Sequence, residues 1–261
     1  MTFSGQARPV ALVTGVGRTV GIGAGIVERL AATGWDVGYT YWRAYDDRMP
    51  WGREDGATAD IDSVITGHGA RSHAVEADLS DVDTPAAVFD AVTGALGPVR
   101  ALVMSHAESV DSDLLTTTVE SFDRHFAVNA RAVWLLIREF GLRLGAAGGA
   151  GDGGARIIAL TSDHTVENVP YGASKGALDR ITLAAAHELA HLGVSANVIN
   201  PGPVDTGWMQ GDLATVLERR TPLGRLGTPR DAANLVAFLC SPEGAWISGQ
   251  LLYSNGAFGT G

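Results

Sequence analysis

The chain has 261 residues, 46% of them hydrophobic, 18% charged and 7% aromatic, a composition able to bury a large core and unlike that of a disordered chain. Nineteen Lys and Arg stand against 29 Asp and Glu, a formal net charge of −10, which argues against an electrostatic grip on nucleic acid or on an anionic membrane. The single cysteine, Cys240, leaves no internal disulfide and no multi-cysteine zinc site.

Residues 1–10 are polar with no apolar signal-like core, and no apolar run approaches the roughly 18–20 residues needed to span a bilayer. The expectation is an untargeted cytoplasmic protein that holds no metal. The 34 glycines follow no fixed period, which sets aside collagen-like and solenoid architectures.

Along the chain, short apolar runs rich in β-formers alternate with longer helical stretches, the pattern of repeated βαβ units over a parallel sheet. Strands are expected near 10–14, 36–41, 72–77, 100–105, 156–161, 194–199 and 250–254, and helices at 25–33, 85–96, 119–144, 171–191 and 229–239. This predicts one α/β domain over 1–261, a doubly wound parallel sheet of about seven strands. Residues 42–58, 145–155 and 201–226 break the rhythm and read as surface excursions. The second is glycine-rich and reads as a flexible connection; the third follows a strand and begins Pro201-Gly-Pro203, the place for a flap or for an ordinary long connection.

The first strand runs into Gly15-Val-Gly-Arg-Thr-Val-Gly-Ile-Gly-Ala-Gly25, and apolar residues then return at helical spacing through Ile26, Val27 and Leu30. A glycine turn between strand and helix lets backbone approach a pyrophosphate, whose charge sits on free N–H groups at the helix start. Gly15, Gly17, Gly21, Ile22 and Gly23 are therefore candidate cofactor contacts. The second strand ends Tyr39-Thr-Tyr-Trp-Arg43 with no carboxylate for a ribose, while Arg18 and Arg43 suit a 2′-phosphate. NADP is expected over NAD. The alternative is that Asp46 or Asp47 folds back onto the ribose, with Arg43 a solvated loop cation.

Tyr171-Gly-Ala-Ser-Lys175 opens the helix after the fifth strand. Four residues of helix put Tyr171 and Lys175 on one face, where the ammonium favours the ionised phenol and lowers a pKa that starts near 10.

With these motifs in place, nearly the whole chain resembles the short-chain dehydrogenase/reductase family. The likeness lies in Thr14-Gly15 with Gly21-Ile-Gly23, in Asp78, Asn129 and Ser162, in Tyr171 with Lys175, in Asn200-Pro-Gly-Pro203 with Thr206, and in Gly224-Arg-Leu-Gly-Thr-Pro229 with Gly249. The later segments are most similar to the 3-oxoacyl-carrier-protein reductase-like branch. The resemblance implies a Rossmann-type, NADP-dependent oxidoreductase acting on a small-molecule ketone or secondary alcohol. It implies that Tyr171 is the general acid, that Ser162 binds the substrate oxygen, and that Lys175 lowers the phenol pKa and binds the nicotinamide ribose. By the same likeness Asn129 holds a water leading to Lys175, Asp78 meets the adenine, Pro201 and Gly202 border the nicotinamide, and Thr206 adds to the cofactor site. It also implies a homo-oligomer, most simply a tetramer; the apolar run 127–137 is either its interface or core against the sheet.

Three departures from the family pattern stand out. Five residues, Val16 to Val20, separate Gly15 from Gly21 where three are usual, and Ser105-His106-Ala-Glu108 replaces Asn-Asn-Ala-Gly. Only eight residues separate Ser162 from Tyr171, which either opens the substrate cleft or displaces Ser162. His164 in that loop is a second hydrogen-bond donor or an exposed loop histidine. A member that binds the dinucleotide without turning it over, and a non-redox reaction on the same fold, are the competing readings.

Overall fold

In a computed structural model, residues 8–209 and 211–259 are described; the reading of residues 1–7 as free of a targeting segment lies outside them. Seven strands form one parallel sheet in the order β3-β2-β1-β4-β5-β6-β7. They are β1 (Val10–Thr14), β2 (Asp36–Tyr41), β3 (Ser72–Glu76), β4 (Val99–Met104), β5 (Ala155–Leu160), β6 (Val194–Asn200) and β7 (Leu251–Tyr253). The helices are α1 (Ile22–Ala32), α2 (Arg43–Asp47), α3 (Ala57–Gly67), α4 (Thr84–Leu96), α5 (Val119–Phe126), α6 (Ala132–Ala146), α7 (Val169–Glu188), α8 (Leu213–Arg220) and α9 (Pro229–Cys240).

Both faces of the sheet are covered, which is why the central strands read as unbroken apolar runs. Along β1, Ala11 and Val13 pack with Ile26, Leu30, Ile65 and Val236 beneath α1, α3 and α9, while Val10 and Leu12 pack with Phe89, Leu136 and Phe140 beneath α4 and α6. Among the described residues no helix is long and apolar enough to cross a membrane, and Cys240 is buried and free.

The structure corrects the expected element pattern in four places. Residues 42–67 hold two helices, and α3 buries Ala57, Ile61 and Ile65; its Thr, Asp and Ser residues are weak helix formers, so tertiary burial makes this helix. The long helix 119–144 is interrupted by a π-turn at Ala127–Arg131. The excursion 201–226 contains α8. The glycine-rich connection is not free: Ala150 is buried, its N–H donates to Leu192 O at 2.9 Å and Arg100 donates to its carbonyl at 2.8 Å. The run 127–137 is largely core, with Val128, Ala130, Ala132, Val133, Leu136 and Ile137 buried and Trp134 half-exposed.

Close approach of α4 to β2 needs a glycine at position 38, where a Cβ would fall 2.5 Å from Val92 Cγ1. Gly38→Val should cost about 1–3 kcal/mol by overpacking, and adding Val92→Ala should recover part of that loss. Urea unfolding of the two variants measures both effects.

Candidate active site

Every residue of the site stands at the C-terminal edge of the sheet, where strands of a doubly wound fold release their loops. β1 ends at Thr14, and Gly15 turns the chain with φ +78°, so close to the β4 exit that a Cβ would fall 2.5 Å from His106 Cα. Gly23 lets α1 begin against that turn, since a Cβ there would fall 2.6 Å from Gly15 O. Gly21 caps α1, and the first-turn N–H groups of Ile22, Gly23 and Ala24 have no acceptor within the helix.

The departure at the end of β4 turns out to be a substitution and not a loss. Thr14 Oγ1 lies 2.6 Å from His106 Nδ1, and His106 Nε2 lies 3.0 Å from Val128 O. The ring therefore ties β1 and β4 to the π-turn, donating from Nε2 and accepting at Nδ1. Burial, with the Lys175 charge adding to it, pushes its pKa down to about 3, so it is neutral.

The π-turn presents Asn129, fully buried. Asn129 Oδ1 accepts from Glu108 N at 2.8 Å, and Nδ2 donates to Glu108 O and to Ser174 Oγ, each at 2.9 Å. Ser174 Oγ in turn donates to Tyr171 O at 2.8 Å. Both amide hydrogens are thus spent on joining the β4–α5 loop to α7, and in this arrangement the side chain does not reach Lys175.

On α7, Lys175 Nζ donates to Leu160 O at 2.9 Å and lies 5.7 Å from the centre of the Tyr171 ring. Burial lowers its pKa to about 8, with Asp179 opposing. The Tyr171 phenol departs from expectation: burial raises its pKa, the hydrogen-bonding influence of Ser162 lowers it, and the first prevails. The short loop leaves Ser162 close enough to influence the Tyr171 phenol. Asn168 pins that loop, donating to Ser109 Oγ at 3.0 Å and Asp111 Oδ1 at 2.6 Å, and Glu167 absorbs the tight path with φ 62°. His164 is exposed, and its backbone N–H, not its ring, bonds Ser162 Oγ at 3.1 Å.

The remaining expected residues are close by but partnered. Arg18 donates to Thr206 O at 2.8 Å and stacks 4.8 Å over Trp51. Arg43 donates to Tyr41 Oη at 3.2 Å and pairs with Glu76 at 3.4 Å. Asp78 accepts from Ser80 N at 2.9 Å and faces Arg124 at 3.8 Å. Gly202, with φ +62°, receives Asn200 Oδ1 on its N–H at 3.0 Å, next to Pro201, and leaves the buried Asn200 Nδ2 without a partner. Asp46 turns inward towards Gly17, accepting from Trp51 Nε1 at 3.0 Å and lying where a Cβ on Gly17 would meet it at 2.7 Å; burial raises its pKa.

What sequence reading missed is the strap formed by residues 42–56. Glu54 grips Thr19 in the glycine turn, Trp51 lies under Arg18, Trp42 lies under Arg124, and Arg48 pairs with the buried Glu108. With Arg43 and Arg53 it walls a pocket of about 270 Å³ reaching from Gly17 and Tyr41 to Thr58. The chemistry of this edge fits a dinucleotide: glycines clear the backbone, helix N–H groups lack acceptors, three arginines gather beside Gly17 and Tyr41, and an orphaned amide donor waits at the end of β6. Among the described residues no group of His, Cys, Asp and Glu is disposed to hold a metal.

A family profile described as Enoyl-(Acyl carrier protein) reductase matches residues 15–258. An uncharacterized oxidoreductase, YjdA of Bacillus subtilis (strain 168), is 34% identical over 98% of this chain and 99% of its own. The NADPH-dependent aldehyde reductase-like protein, chloroplastic, of Arabidopsis thaliana is 35% identical over 95% of this chain and 93% of its own. Among solved structures, the blue fluorescent protein from a metagenomic library in complex with NADPH superposes with a TM-score of 0.84 at 32% identity, covering 97% and 98% of the two chains. A dehydrogenase/reductase from Sinorhizobium meliloti 1021 gives 0.82 at 33% identity, covering 95% and 94%.

His106 has a pKa near 3 when folded and near 6.5 when unfolded. Below pH 6.5 the unfolded chain takes up a proton that the folded one refuses, so stability falls as pH drops from about 6.5 towards 3. Thermal melts across this range should show His106→Gln with a flatter acid limb than the wild type, and with a lower melting temperature at pH 7 because Gln cannot bridge Thr14 and Val128 as the ring does.

Proposed function

The chain belongs to the short-chain dehydrogenase/reductase family, and from that premise we propose that it is an NADPH-dependent carbonyl reductase working in the cytoplasm on a ketone or its secondary alcohol, of the 3-oxoacyl-carrier-protein reductase-like kind. The observation that carries this reading is Lys175, anchored by Leu160 O with its Nζ 5.7 Å from the centre of the Tyr171 ring one helical turn away.

The residues divide the work as follows. The nicotinamide supplies a hydride when bound. Gly15, Gly17, Gly21, Ile22 and Gly23 hold the pyrophosphate, Asp78 meets the adenine, and Pro201, Gly202 and Thr206 border the nicotinamide. Arg18 and Arg43, joined by Arg53, favour a 2′-phosphate, since the end of β2 carries no carboxylate; the relative from Arabidopsis and the metagenomic structure are both named with NADPH.

Ser162 donates to the carbonyl oxygen as negative charge develops there. Tyr171 Oη gives its proton to that oxygen; its raised pKa keeps it protonated and able to act as an acid. Lys175 keeps a positive charge beside the phenolate that this transfer leaves, and binds the nicotinamide ribose. Asn129 positions Tyr171 through Ser174. Desolvation sets the timing of protonation: the Lys175 ammonium is present below pH about 8 and lost above it.

Three measurements test the reading. Tyr171→Phe should lose about 100-fold or more of the turnover of a ketone panel while calorimetry shows NADPH bound as before; retained turnover overturns the mechanism. Ser162→Ala should lose about 100-fold, the scale of one oxyanion donor. For the wild type, kcat for reduction should fall as pH rises through about 8, with the loss of the Lys175 charge.

The same reading includes assembly as a homotetramer, for which half-exposed Trp134 and Leu142 on α6 and exposed Trp246 and Tyr253 beside β7 offer apolar surface. Light scattering at micromolar concentration should return four times the chain mass; a monomer removes this part.

A further inference from the structure

The grip of Glu54 on the glycine turn has the form of an anion site already filled. Thr19 N donates to Glu54 Oε2 at 2.9 Å and Thr19 Oγ1 donates to Oε1 at 2.6 Å. Two oxygens of one anion thus take an N–H and an O–H from one residue of the turn, as two oxygens of a phosphate would. Glu54 also lines the pocket formed by Gly17, Tyr41, Arg43, Asp46 and Arg53.

We propose that Glu54 determines cofactor specificity, as an internal carboxylate that occupies the Thr19 donors a 2′-phosphate requires. It has to leave for NADPH, and it can stay for NADH and accept from the ribose hydroxyl. This rests on the cofactor reading given above and goes beyond it, because the discriminating acid comes from the strap and not from the end of β2.

The charges around the pocket support the competition. Arg43 is paired with Glu76 at 3.4 Å, and Arg53 with Asp55 at 3.4 Å and Asp47 at 3.6 Å, so the two arginines that line the pocket are already matched by carboxylates while Glu54 remains; Arg18 is held by Thr206 O and Trp51. Asp46 cannot play the same part, being buried beneath Gly17 and bonded to Trp51. Glu54 is exposed, and among the described residues its carboxylate is held by Thr19 alone. The strap turns through left-handed Gly52 and Gly56 on either side of it, with nothing within 4 Å of where their Cβ atoms would lie, so the carboxylate can swing out without dislodging packed atoms.

The test is calorimetric titration of wild type, Glu54→Gln and Glu54→Asp with NADPH and NADH, and with the fragments 2′,5′-ADP and 5′-AMP. Glu54→Gln should tighten NADPH and 2′,5′-ADP by about fivefold to tenfold, the scale of removing one like charge at a partly exposed site. NADH and 5′-AMP should stay level or weaken. Glu54→Asp, which keeps the charge on a shorter arm, should stay nearer the wild-type ratio. If wild type binds both dinucleotides and the ratio does not move in Glu54→Gln, the proposal is overturned and the cofactor reading stands; if wild type binds neither, both fall. Equal tightening of all four ligands also overturns it, since that would mark a general charge effect and not competition for Thr19.

Discussion

The position of Tyr171 depends on one buried amide. Asn129 closes a short chain of hydrogen bonds that runs from the Glu108 backbone through its own side chain to Ser174 and on to the Tyr171 carbonyl. Each bond adds only about 1 kcal/mol net, but an unpaired member in this dry setting would cost about 1–3 kcal/mol, so the set holds together or not at all. Glu108 extends the chain outward, because its buried carboxylate meets Arg48 from the strap and Arg124 from α5. The strap over the glycine turn and the helix that carries the proton donor therefore share one connected network, and His106 fixes the same π-turn from the sheet side.

Desolvation is the stronger electrostatic influence at the centre of this network. It lowers His106 and Lys175 and raises Tyr171, in each case towards the neutral form. Three groups oppose it: the Val128 carbonyl favours the charged His106 ring, Asp179, one turn beyond Lys175, supports the ammonium, and Ser162 favours the phenolate. The edge of the site is ordered differently. There arginines outside the core are matched to carboxylates one by one, Arg43 to Glu76, Arg53 to Asp47 and Asp55, and Arg225 to Asp231, so a chain of net charge −10 keeps its cations where an anionic ligand would meet them.

How much of this was legible follows from the range of the interactions. The seven strands could be read because each carries its own apolar run, and Tyr171 and Lys175 because a helix turn relates them. The glycine turn was recognisable since its function is local backbone freedom. By contrast, α3 owes its helix to two isoleucines that meet the core, against weak local propensity. The bridge from Thr14 to His106 spans 92 residues and the grip of Glu54 on Thr19 spans 35; no periodicity registers pairs so far apart. Arg18 and Arg43 could be singled out by residue type, but their partners, Thr206 and Trp51 for the first and Glu76 for the second, come from other segments. The pKa of Tyr171 was misjudged because spacing shows the neighbouring ammonium and not the depth of burial.

The π-turn at Ala127–Arg131 also constrains how this sequence can change length. A π-turn houses one residue more than an α-helix spanning the same rise. Deleting one residue there would restore a regular helix and leave everything beyond it in register. Val133, Leu136 and Phe140 would keep their packing on the sheet, and the loss would fall on the turn itself, where Asn129 would be drawn into a regular helix and lose its aim at Ser174. The extra residue therefore serves the aim of Asn129 and not the continuity of the helix, so a one-residue deletion there would break the hydrogen-bond chain to Tyr171 while sparing the fold.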